Sequence, residues 1–127
     1  MPHLLDTSVA IHLRDGDAAI VEKVGLLGEI AISIITRIEL EGGVYRDPAF
    51  AEIRRASVDL LLLAITVLPF DDDDADAYRA IVQAAGFSRR KIADRMIAAQ
   101  ALASRATLVT MNAADFRDVP GLDILAW

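Results

Sequence analysis

The chain has 127 residues, 54% of them hydrophobic, with 19 acidic against 13 basic side chains and a formal charge of −6. That length and apolar share suit one domain with a substantial core and exclude a disordered chain. The negative charge argues against nucleic-acid binding by bulk attraction, and the absence of cysteine excludes disulfides and thiolate metal centres.

In chain order, HLLD (3–6) reads as a first strand, followed by helical spacing over 8–14 and 17–27. EIAIS (29–33) is a second strand and 34–45 a helix, with Gly42-Gly43 marking a break near its end. Asp47-Pro48 starts a helix over 49–64, Asp as the cap and Pro in the first turn. ITVLPF (65–70) is a third strand, and 72–85 a helix opened by the acidic run Asp71 to Asp74, expected as a solvated start favoured by the helix dipole. Gly86 precedes a last helix over 90–104, and ATLVT (106–110) and LDILA (122–126) complete the strands. The strand candidates are apolar throughout, as when both faces of a parallel sheet are covered. One α/β/α domain spanning 1–127 is expected, with about five mostly parallel strands. His3 and His12 are too few for a His-rich centre. No apolar run is long enough to span a membrane, and the start MPHLLDTSVAIHL lacks a basic flank. A cytoplasmic protein without membrane contact is expected.

Four acids share a topological position. Asp6 directly follows the first strand, where it is either an N-cap, a role Thr7 or Ser8 could also fill, or a site residue. Glu39 is either the partner of Thr36 in a capping box or a site residue in the first turns of its helix. Asp94 shares a helix face with Ala98, Ala101 and Arg105, and lies one turn after Lys91. A carboxylate on a close-packing face is expensive unless paired or metal-bound. Asp115 follows the ATLVT strand, with Asn112 as cap of a short turn. All four fall near one edge of a parallel sheet, where ligands collect. Clustered carboxylates repel, and a divalent cation relieves this; an all-oxygen set suits Mg²⁺ or Mn²⁺ rather than zinc. Arg54-Arg55 and Arg89-Arg90-Lys91 are basic patches able to meet an anionic substrate or a partner protein.

The segments LLDTS, ITRIELEGG, KIADRMIAAQALA and TLVTMNAADF followed by GLDIL together resemble a PIN domain, and most of all the VapC-type toxin ribonucleases of type II toxin–antitoxin pairs. The resemblance covers essentially the whole chain. It implies that Asp6, Glu39, Asp94 and Asp115 are catalytic acids holding Mg²⁺, with Mn²⁺ as a substitute. Asn112, Thr7, Ser8 and Thr110 match supporting positions. It also implies RNA hydrolysis, a cognate antitoxin protein as partner, and a homodimer that forms a heterotetramer or larger assembly with it. The residue after the third acid is often small or aliphatic in the family and is Arg95 here, placed to approach RNA, balance an acid or face solvent. The alternatives are a PIN-like protein-binding module with little catalysis and a solitary RNA-processing nuclease. A receiver domain fails because LLDTS offers one acid where two are needed, and Lys23 and Lys91 are misplaced.

Overall fold

Alternate residues of each strand go to opposite layers, and this divides the molecule in three. The computed structural model describes residues 2–127. Its strands are β1 (His3–Leu5), β2 (Ile30–Ser33), β3 (Thr66–Leu68), β4 (Thr107–Thr110) and β5 (Ile124–Ala126). They pair in parallel throughout, in the order β3-β2-β1-β4-β5. Leu4, Ala31 and Leu108 enter one buried cluster, while their neighbours Leu5, Ile32 and Val109 enter the other. This is the two-residue period of a pleated strand, with apolar residues on both faces because both are covered.

The helices are α1 (Thr7–Arg14), α2 (Ala18–Leu26), α3 (Ile34–Val44), α4 (Ala51–Ala64), α5 (Asp72–Ala85) and α6 (Ile92–Ser104). Val9, Ile20, Val24, Leu40, Val44, Val58 and Leu61 bring α1 to α4 onto the Leu5 side. Ile81 of α5 and Ile97, Ala98 and Ala101 of α6 cover the Leu4 side, with Phe116 and Val119. Each fully buried side chain of this size contributes roughly 1.5–3 kcal/mol relative to exposure. The alanines of α6 are wholly buried, so the helix backbone can lie close to the sheet. Among the described residues no helix is long and apolar enough to cross a membrane.

The caps are local and mostly as the residue types require. Asp6 accepts from Val9 N, Asp17 from Ala19 N and Ile20 N, and Asp47 from Ala49 N at the head of the 3-10 turn Pro48–Phe50 that leads into α4. Two expectations are corrected and one open reading is closed. Helix α3 is capped by Ser33, whose hydroxyl accepts from Ile35 N, so Thr36 and Glu39 form no capping box and lie one turn further in. Asp74 is not solvated: it is 8% exposed and completes a reciprocal capping box with Asp71. Of the three courses open to Arg95, balancing an acid is the one taken: it is buried and bonds Asp118, as described below.

Candidate active site

Strand order reverses between the neighbours β1 and β4: the chain passes from β1 to β2 on one side and from β4 to β5 on the other. In open parallel sheets the crevice at that reversal, at the carboxyl ends of the strands, is where ligands bind. Asp6 leaves the end of β1 and Thr110 ends β4, so both stand at this point.

Asp6 is 5% exposed and held by both oxygens. Its Oδ1 accepts from the Ser8 hydroxyl and from Val9 N at 3.0 Å, and its Oδ2 accepts from the Thr110 hydroxyl. Each hydroxyl is itself oriented by a backbone donor: Met111 N donates to Ser8 Oγ at 3.2 Å, and Asn112 N to Thr110 Oγ1 at 2.9 Å. Two amides of the turn after β4 are thus relayed, through two hydroxyls, onto the two oxygens of one carboxylate. With three of its roughly four acceptor positions filled, Asp6 retains one, on Oδ2. Asp6 is both the cap of α1 and a fixed acceptor at the crevice.

Glu39 is exposed on α3, and its Oε1 accepts the Thr7 hydroxyl at 2.7 Å. Thr7 Oγ1 lies 3.0 Å from Thr36 Oγ1, and because its single proton goes to Glu39, the buried Thr36 is the donor in that pair. Asp94 lies in the first turn of α6, partly buried. Burial pushes its carboxyl above the usual range, and the negative charges of Asp115, Glu39 and Asp6 push it further, with Lys91 opposing. Asp115 is exposed in the 3-10 turn Ala113–Phe116, and Asn112 precedes that turn without a side-chain capping bond. The other three acids therefore all act electrostatically on Asp94. Among the described residues, no three His, Asp or Glu side chains stand close enough together to form a ready metal cage.

Arg95 is 3% exposed and donates to Gly86 O and, at 2.9 Å, to Asp118 Oδ2, where Lys91 Nζ also donates at 3.2 Å. These bonds hold the Asp118 carboxyl below its usual range, the Arg95 hydrogen bond contributing most. Arg95 thus balances an acid outside the candidate site, fastening the start of α6 to the end of α5. Asp118 and Thr36 escaped the sequence reading as contacts. The four-residue spacing of Lys91 and Arg95 on one helix face is the signal that pointed to a shared acid. Thr36 offered only its position beside a strand end, where a cap was the simpler account.

A PIN domain profile matches residues 3–122. The chain belongs to the PIN-domain family. Its relatives there are of the VapC type. Ribonuclease VapC1 of Rickettsia felis is 30% identical over 128 residues, spanning 96% of this chain and 93% of its own. Among solved structures, VapBC2 of Rickettsia felis bound to a promoter DNA fragment superposes with a TM-score of 0.87 at 27% identity, covering 100% of this chain and 99% of that one. DNA-bound VapBC of Salmonella typhimurium gives 0.87 at 27% identity, covering 100% and 98%. VapBC-1 of nontypeable Haemophilus influenzae gives 0.82 at 27%, covering 100% and 98%. The full-length match of this PIN domain agrees with a sheet and helices that run the length of the chain.

Proposed function

We propose that this PIN domain is a metal-dependent endoribonuclease, the toxin of a type II toxin–antitoxin pair, hydrolysing RNA phosphodiester bonds. The observation that carries the reading is the gathering of Asp6, Glu39 and Asp115 near Asp94, whose carboxyl burial raises first and their charges raise further. At Asp94 only Lys91 opposes these acids, and such a gathering of carboxylates is unfavourable unless a cation joins them. The donor set is all oxygen, which fits Mg²⁺ or Mn²⁺. Asp6, Asp94 and Asp115 would hold the ion, Glu39 directly or through water, and Asp6 would do so through the one acceptor position that its three donors leave free on Oδ2. The chemistry a divalent cation supplies there is positive charge against a phosphoryl group and a lowered pKa for water.

The protein's own groups do the rest. Ser8, Val9 N and Thr110 fix the Asp6 carboxylate in one orientation, so no reorganisation is needed when a phosphodiester arrives. Thr7 and Thr36 hold Glu39 from the other side. A carboxylate beside the attacking water is sufficient to take its proton, and no single side chain has to be singled out as the base. No Ser–His or Cys–His pair is at hand for covalent catalysis, since His12 Nδ1 bonds Ser8 O and the chain has no cysteine. An antitoxin protein is the proposed partner, supported by the VapBC complexes among the relatives, and a second copy of the chain would complete the assembly.

The test is to map RNA ends after induction of wild type and of Asp94→Asn, with cleavage by the purified proteins measured against Mg²⁺. Metal-dependent cuts by the wild type that vanish in Asp94→Asn and Asp6→Asn are expected. Full cleavage by either variant, with both still folded, would overturn the assignment.

A further inference from the structure

Beside Thr7 and Glu39 there is a cleft of about 380 Å³, within the range of small-ligand sites. Arg14, Arg46 and Arg54 line it together with Glu39, so three guanidinium groups and one carboxylate share the cleft. Arg14 is the most telling of the three. Its side chain is only 8% exposed, and among the described residues only its Nε is hydrogen-bonded, to Asp15 at 2.9 Å. Both of its terminal amino groups are unspent. Arg54 donates to Gly43 O at 3.3 Å and stacks over Phe50 at 5.5 Å. Gly43 also borders Arg14, whose Nη1 would lie 3.8 Å from a Cβ added there, so two guanidinium groups meet at one glycine. Among the described residues neither Arg46 nor Arg54 has a carboxylate within ion-pair distance, in a chain with six more acids than bases. Like charges gathered around a cleft, with donors left over, call for an anion.

We propose that Arg14, Arg46 and Arg54 form a subsite for one backbone phosphate of single-stranded RNA, next to the phosphate that lies at the acids. The inference rests on the nuclease reading for the identity of the strand. Glu39 forms part of the same cleft, so a strand entering the acid site passes the arginines, and the guanidinium fork matches two phosphate oxygens. The acids would repel that strand without a cationic neighbour, and the arginines supply the attraction that the net charge denies.

The experiment measures binding of a labelled single-stranded oligoribonucleotide to Asp94→Asn protein in EDTA across a salt series, with and without Arg46→Gln and Arg54→Gln. Arg46 is exposed, so its substitution leaves the fold intact even if Arg54→Gln or Arg14→Gln does not. The double variant should bind about tenfold more weakly at low salt. Its slope of log K against log salt should become shallower by about 0.7, the value for one lost phosphate contact on a single strand. Arg46→Lys should keep the slope. In protein with Asp94 intact, the same changes should raise KM more than they lower kcat. An unchanged slope and affinity would overturn the subsite, as would undiminished RNA binding combined with weakened binding of a partner protein, which would assign the arginines to a partner's carboxylate. If the parent cleaves no RNA with any divalent metal yet the slope shifts, the nuclease reading fails and the subsite stands.

Discussion

Thr110 donates its hydroxyl to Asp6 across 104 positions of sequence, and in doing so fastens the end of β4 to the end of β1. The bond has no local origin. It exists because the parallel register sets Leu5 beside Val109, so that the next residue of each strand projects into the same crevice.

Replacing Thr110 by Val keeps the shape and removes the hydroxyl. Asp6 Oδ2 then loses its donor at a buried position, and Asn112 N its acceptor at a part-buried one. A loss of about 1–3 kcal/mol in urea denaturation is expected. Cleavage should fall as well, because Asp6 is no longer held in one orientation. Thr110→Ser should recover most of both, and a Val variant as stable and active as wild type would refute the role given to the hydroxyl.

Asp94→Asn should stabilise the metal-free protein at neutral pH. A raised carboxyl pKa means that the fold disfavours the charged form. The penalty is absent below the unfolded value of about 3.9, grows as pH rises from there through the folded pKa, and persists above it. In EDTA the variant should therefore melt higher than wild type at pH 7 and no higher at pH 3. Added Mg²⁺ should raise the melting temperature of wild type only.

Arg95 and Asp118 should respond unequally to removal. Arg95→Met leaves an acid that is 37% exposed and that water and Lys91 can satisfy. Asp118→Ala leaves a guanidinium whose side chain is 4% exposed without its anion, and its cost should approach about 3 kcal/mol. The Asp118 pKa is lowered in the fold, so its stabilisation is present above the unfolded value and lost as pH falls through the folded one. The gap between wild type and Asp118→Asn should accordingly narrow below about pH 4. Denaturation curves at pH 7 and pH 3 provide the comparison.

Arg105 closes α6 in the left-handed region, at φ 55° and ψ 39°, its N–H bonded to Ala101 O and Leu102 O. This is the position where helices most often place glycine, because a side chain there carries a conformational cost. Arg105→Gly should stabilise the protein by about 0.5–1 kcal/mol by thermal melting, with no change in RNA cleavage. A destabilised variant would mean that the Arg105 side chain makes a compensating contribution.

All five strands could be read from the sequence because a parallel sheet covered on both faces leaves an unbroken apolar run wherever a strand passes. The nearness of Asp6, Glu39 and Asp115 to Asp94 was legible because each acid lies close, in sequence or along a helix, to the carboxyl end of such a run. What escaped notice depends on contacts between elements. Ser33 rather than Thr36 caps α3 because the chain turns into helix directly at the strand's last residue. Thr36 is then drawn to Thr7, which lies 29 positions away. Which of its three courses Arg95 takes is decided only when α5 supplies Gly86 O and the loop after the last 3-10 turn supplies Asp118. The cationic cleft needs α1, α3 and α4 to assemble before Arg14, Arg46 and Arg54 line it together.

The first strand also has a parity. Leu4 is committed to one core and Leu5 to the other, and Asp6 must follow at once to meet Ser8 and Thr110. Sliding this segment by one residue against β2 and β4 would exchange the two leucines between cores of different shape and turn the carboxylate out of the crevice. A slide of two would restore facing, though not position. Changes of length near the front of the chain are thus felt in steps rather than gradually. A single inserted residue between Leu4 and Asp6 should do more harm to the candidate site than most substitutions within it.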